Sequence, residues 1–98
     1  GRPTIVYYYN GGPDSVHLHR VLKELESHHH LDEVAVVRVP TKYLGEDFIK
    51  RRALRTFPTV SFHNGAHEFE RLTGYCKSES ILQGLLRLCQ FINTSEVG

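Results

Sequence analysis

Arg55 to Gly74 reads RTFPTVSFHNGAHEFERLTG. Pro58 ends any helix before it and opens an extended segment. Thr59 to His63 alternates, with Val60 and Phe62 on one face, which is the period of a strand. Asn64-Gly65 follows, the strongest short-range hairpin signal. The return strand, about His67 to Leu72, has Phe69 and Leu72 as its apolar residues. A spacing of three breaks the period of two, so a β-bulge or a twist is expected there. The stretch reads as a turn feeding a β-hairpin.

Upstream, Thr4 to Tyr9 (TIVYYY) is β-branched and aromatic, and it stops at the breaker cluster Asn10-Gly11-Gly12-Pro13. Such a continuous apolar strand belongs at the centre of a sheet, covered on both faces. Asp14 or Ser15 is placed to cap a helix running to about Ser27. On it Leu18, Val21, Leu22 and Leu25 form one apolar stripe. His28-His29-His30 falls at the helix end, where positive charge suits the macrodipole. Glu33 to Val39 is a second buried strand stopped by Pro40, so the first three elements make a βαβ unit with parallel strands. Gly45 to Arg55 predicts a short helix with Phe48 and Ile49 inward and Ala53 and Leu54 a turn later. Downstream, Ser78 caps a last helix with a wide stripe of Ile81, Leu82, Leu85, Leu88, Cys89 and Ile92. The order is β-α-β-α-β-β-α. It is an α/β class with a central mixed sheet and helices on both faces.

Composition bounds the function. The chain has 98 residues, one domain's worth, with 40% hydrophobic residues and a formal charge of +1. That charge gives no global pull toward nucleic acid or anionic membrane. No apolar run approaches the roughly 20 residues of a membrane span. The chain has no Met, so residues 1–98 are read as a single domain excised or processed from a longer chain. Cys76 and Cys89 fall near opposite ends of one helical segment, beyond disulfide reach. Unpaired thiols favour a reducing compartment, whereas Asn93-Thr94-Ser95 is a glycosylation sequon. Cytoplasm and secretory lumen both stay open.

The stretch from Arg55 onward resembles the second half of a thioredoxin domain. Phe57-Pro58-Thr59 looks like that family's cis-proline turn, closer to the version in protein disulfide isomerases. The resemblance implies the thioredoxin-like fold and a cis bond before Pro58. It also implies a backbone edge there that holds an extended substrate chain. The front half departs from the pattern. The family's Cys-Gly-Pro-Cys loop stands here as Gly11-Gly12-Pro13-Asp14, so neither flanking position carries sulfur. The family's Trp before the first cysteine is absent, and its buried Asp on the first strand is replaced within Ile5-Val6-Tyr7. Without a thiol that Asp would be only a buried charge.

Other constellations are weaker. Cys76 precedes the last helix with Lys77 beside it, and both features lower a thiol pKa; the plainer reading is an incidental loop cysteine. Cys89 behaves as a small hydrophobe. His17 and His19 diverge on a helix. His63 and His67 straddle a turn, and two imidazoles fall short of a zinc site. No metal and no cofactor is assigned. Ser15 could stabilise an anion at the helix N-terminus, or simply cap the helix. Lys50, Arg51, Arg52 and Arg55 follow Glu46 and Asp47, the pattern of a solvated helix with i, i+4 pairs. No stacking platform for nucleic acid accompanies them.

These observations assign no catalytic residue. They point to a non-catalytic thioredoxin-like domain that binds a protein or an extended peptide segment. Its binding residues would be Tyr9, Gly11, Gly12, Pro13, Asp14, Phe57, Pro58, Thr59, Gly74 and Cys76. Two alternatives remain. One is thiol-redox work through Cys76 or through a Cys-x-x-Cys in another domain. The other is a structural subunit of an assembly.

Overall fold

The chain runs β1 (Pro3–Tyr9), α1 (Pro13–His28), β2 (Ala35–Pro40), a 3-10 turn (Thr41–Tyr43), α2 (Glu46–Arg51), β3 (Thr59–Asn64), β4 (His67–Thr73) and α3 (Ser78–Val97). The computed structural model describes residues 2–28 and 33–97. His29 and His30 of the expected histidine run lie outside the described residues. The element order is the expected one, with the 3-10 turn added.

The sheet order is β2-β1-β3-β4. β1 is central, parallel to β2 and antiparallel to β3. Its residues alternate between two faces. Ile5 and Tyr7 are fully buried and join Leu18, Leu22 and Leu25 of α1, Val60 and Phe62 of β3, and Ile81, Leu85, Leu88 and Ile92 of α3 in one core. Arg38, in register with Tyr7 on that face, pairs with Glu26 of α1. Tyr8 points the other way, against Phe48 of α2 at 6.2 Å between rings.

The bulge expected in the return strand is present. Phe62 pairs with Glu70, but His63 pairs with Glu68. Phe69 is the extra residue. Its ring lies tilted against that of Phe91 of α3 at 4.9 Å, and its neighbour Glu70 pairs with Arg87 of the same helix. Phe69, Glu70 and Leu72 therefore share the α3 face, while Glu68 and Arg71, opposite His63 and Ser61, share the other.

Several local expectations need correction. The hairpin loop is Gly65-Ala66 rather than Asn64-Gly65, because Asn64 already pairs with His67. Gly65 has φ +62° at the first loop position and Ala66 is not in positive φ, the sign pattern of a type II′ turn. Helix α1 begins at Pro13. Gly12 supplies the carbonyl that accepts the first helical bond, from Val16 at 3.1 Å. Neither Asp14 nor Ser15 is the cap; Pro13 takes the first helical position, where its fixed φ fits. Lys77, not Ser78, gives the corresponding carbonyl at α3.

Helix α2 stops at Arg51, short of the expected Arg55. Ala53 has φ +51°, its N–H bonds the Lys50 carbonyl at 3.1 Å, and the Leu54 N–H bonds Ile49 at 3.0 Å. That pair of bonds is a Schellman ending, with alanine where glycine is usual. Leu54 is buried and Ala53 exposed. The i, i+4 ion pairs expected on α2 are absent among the described residues. Arg51 instead reaches the Asp47 carbonyl, and Arg52 lies over Phe48.

Candidate functional site

Three segments meet where β1 ends. The first is the loop from Tyr9 to Asp14. Asn10 organises it: its Oδ1 accepts the Gly12 N–H at 2.9 Å and the Ser15 hydroxyl at 2.9 Å, and its own N–H donates to Ser15 Oγ at 3.1 Å. Both bonding roles of the buried Ser15 hydroxyl are thus engaged by Asn10. That corrects the reading of Ser15 as an anion-stabilising group. Gly12 has little room for a side chain, since a Cβ would meet Asn10 Oδ1 at 3.1 Å, whereas Gly11 faces open space.

The second segment is the Phe57-Pro58-Thr59 turn. The Phe57–Pro58 peptide is cis, as expected. Thr59 donates its hydroxyl to the Thr56 carbonyl at 2.5 Å. The Pro58 carbonyl accepts the Gly74 N–H at 2.7 Å. The Phe57 peptide N–H and carbonyl have no hydrogen-bond partner among the described residues.

The third segment runs from Thr73 to Cys76. Gly74 takes φ +75°, which frees its N–H to reach Pro58. Tyr75 is half exposed and reaches α1, where its hydroxyl lies 3.3 Å from His17 Nε2. Cys76 packs against the core instead. Burial pushes its thiol up to about 11. Desolvation therefore outweighs the helix terminus and Lys77, which argues against an activated thiol at Cys76. Both cysteines are free.

Two depressions share Tyr9, Asn10 and Gly11. One, of about 330 Å³, continues over Ser15, Val16 and His19, and its lining is largely apolar. The other, of about 360 Å³, continues over Pro40, Thr41 and Lys42. They lie at the carboxyl ends of β1 and β2, where open α/β sheets place their ligands. Tyr9 stacks on Tyr7 at 5.1 Å, and His19 lies 6.2 Å from the Tyr9 ring. Tyr7 donates its hydroxyl to the Ser15 carbonyl at 2.5 Å.

The sequence places Tyr9 and Asn10 in the loop after β1 and Tyr75 in the loop after β4, but it does not single out Val16 or His19. Val16 carried a usable signal. It is apolar, it lies off the Leu18–Leu25 stripe, and it is 57% exposed in the first turn of α1. His17 and His19 do diverge, one toward Tyr75 and the other toward Tyr9. His63 is buried against Glu68 while His67 is exposed. Among the described residues no group of three or more His, Cys, Asp or Glu could hold a metal ion. Nor is any described helix long and apolar enough to cross a membrane.

No protein-family model matches the chain, and no curated protein sequence does. Solved structures do match. The germline-specific thioredoxin Deadhead of Drosophila melanogaster superposes with a TM-score of 0.76 at 14% identity, covering 89% of this chain and 81% of that one. Fasciola hepatica thioredoxin gives 0.76 at 17% identity, with the same coverage. Malassezia sympodialis thioredoxin gives 0.75 at 10% identity, covering 88% of this chain and 74% of that one. The chain has a thioredoxin-like α/β fold.

Proposed function

We propose that this is a non-catalytic thioredoxin-like domain that binds a protein partner through an extended segment. The observation that carries the reading is the Phe57 backbone, left unpaired in a turn whose other polar groups are satisfied. An extended chain can pair with such an edge by main-chain bonds while neighbouring pockets select its side chains. The ligand-facing residues are Tyr9, Gly11, Gly12, Pro13, Asp14, Phe57, Pro58, Thr59, Gly74 and Cys76. Tyr75 and Val16 supply exposed apolar surface beside them. Cys76 contributes backbone, since its side chain packs inward.

Loss of dithiol chemistry supports the same reading. Gly11 and Asp14 occupy the positions a redox pair would need, and the two cysteines that exist are 13 positions apart (76 and 89). The thioredoxin neighbours favour a second reading, a redox setting with a Cys-x-x-Cys in another domain of a longer chain. An insulin-reduction assay on this domain discriminates. Turnover near that of a thioredoxin would overturn the non-catalytic reading. Backbone amide mapping with peptides selected against the domain tests the binding face. The expected perturbations fall on the amides of residues 9–12, 14, 57, 59 and 74–76.

A further inference from the structure

Arg71 does more than pair with a neighbour. Its Nε and Nη2 grip Glu68 at 2.9 and 2.8 Å. Its Nη1 donates to the Ala53 carbonyl at 3.0 Å, and Nη2 also donates to the Arg52 carbonyl at 2.6 Å. One guanidinium thus ties β4 to the end of α2, four residues before Phe57. The bulge at Phe69 makes this possible by placing Glu68 and Arg71 on one face despite their spacing of three.

A polar layer lies behind the clamp. His63 stands directly opposite Glu68, and Ser61 directly opposite Arg71. Both are nearly fully buried, and His63 Nε2 and Ser61 Oγ have no hydrogen-bond partner. Burial of an imidazole whose Nε2 finds no partner favours the neutral form. It faces Glu68, His67 and Arg71 from β4, Arg52 from the end of α2, and Thr4 from β1.

We propose that Glu68 and Arg71 form a latch that positions the Phe57–Thr59 turn, and that protonation of His63 releases it. Among the described residues facing His63 the only anion is Glu68, which Arg71 already holds. An imidazolium at 63 would add a third cation beside Arg52 and Arg71. It would draw the Glu68 carboxylate toward itself, and Arg71 would lose the partner that orients its fork. The Arg52 and Ala53 carbonyls would then lose their donor, and residues 52–57 would loosen where they lead into the turn. The importance of that turn rests on the binding reading above. The latch itself does not.

The experiment uses the free protein and needs no ligand. Amide and His ring signals are followed by NMR from pH 7.5 to 5.0 in wild type, His63→Gln and Arg71→Lys. In wild type, the amides of residues 53–57 and of Thr59 should shift together, with the midpoint of the His63 ring and below ~6.5, the ordinary histidine value. His63→Gln should abolish that titration. Arg71→Lys, which keeps charge but loses the fork, should displace the same amides already at pH 7.5 and leave those of α3 unmoved. Unmoved amides at Phe57 and Thr59 while His63 titrates would overturn the latch. So would the same titration persisting in His63→Gln, a result that stands even if Arg71→Lys fails to fold.

Discussion

Gly84 of α3 lies against the ring of Phe62, so close that a Cβ at position 84 would sit 2.7 Å from Phe62 Cζ. Phe62 is fully buried at the centre of the core, so its ring has nowhere to retreat. Two effects oppose each other in Gly84→Ala. Helix propensity favours alanine by about 1 kcal/mol. Overpacking costs about 1–3 kcal/mol. The contact is backed by packed side chains on every side, so overpacking should win. Urea denaturation should show a net loss of about 1 kcal/mol, recovered in part when Phe62→Leu is added. A raised midpoint for the single variant would mean that the ring moves freely.

That contact shows where the sequence stopped being legible. Strand β1 could be read because TIVYYY admits no other element. The bulge could be read because Phe69 and Leu72 are three apart and both apolar. Gly84 sits on the α3 stripe between Ile81 and Leu88, and that stripe gave the buried face but not the distance to Phe62. Helix α2 was overextended because an alanine in left-handed φ carries no sequence mark. In the site, Gly12-Pro13 and Phe57-Pro58-Thr59 were visible as turns. Val16 showed only as an apolar residue off the α1 stripe, because its role depends on the end of β4 lying beside the start of α1.

Ala53→Gly should stabilise the protein. Ala53 is exposed and has φ +51° at the C′ position of α2. The left-handed region costs an L-residue roughly 1–2 kcal/mol. Glycine removes that strain but adds unfolded-state entropy, so the net gain is about 0.5–1 kcal/mol. Chemical denaturation measures it. A loss of stability would show that the alanine side chain contributes packing that its exposure hides.

Cys76 should react slowly. With its thiol pushed up to about 11 by burial, its thiolate fraction at pH 7.5 is about 300-fold below that of an ordinary cysteine near 8.5. Modification by a chromogenic disulfide in a Cys89→Ser background should be slower than for a free thiol by about that factor or more. Reaction at the free-thiol rate would restore Cys76 as a candidate nucleophile.

Stability should fall on acidification in two stages. Burial holds the His63 pKa below its ordinary value. Its unfolded form therefore takes up a proton first. Stability is lost as the pH drops through the unfolded value of about 6.5 toward the lower folded one. The carboxylates act at lower pH. Burial pushes Glu68 up, but the Arg71 hydrogen bonds and the Arg71 charge outweigh it and hold it down. Glu70 is held down by the Arg87 hydrogen bond. Both favour the fold above the unfolded carboxylate range and stop doing so as the pH falls through their folded values. His63→Gln should flatten the denaturation midpoint between pH 7 and 5.5 and leave the lower stage in place. An unchanged slope in that variant would assign the upper stage to another histidine.

The binding face makes the last prediction. Val16 is 57% exposed and Tyr75 49% exposed, and neither packs in the core. Substitution there should leave stability within about 0.5 kcal/mol. If an extended chain lies across the Phe57 backbone with an apolar side chain in the depression over Tyr9 and Val16, Val16→Asp puts a charge against that side chain. Affinity for a peptide selected on the wild-type domain should then fall about tenfold or more, the cost of burying an unpaired polar group. Tyr75→Ala should weaken binding less, since Tyr75 is held by His17 at the rim. Affinity itself should be modest, because so short an edge buries less than a standard interface. Peptides that bind both variants as well as wild type, or amide shifts that gather on Lys50 to Arg55, would move the partner to α2. The domain would then be a charge-led adaptor.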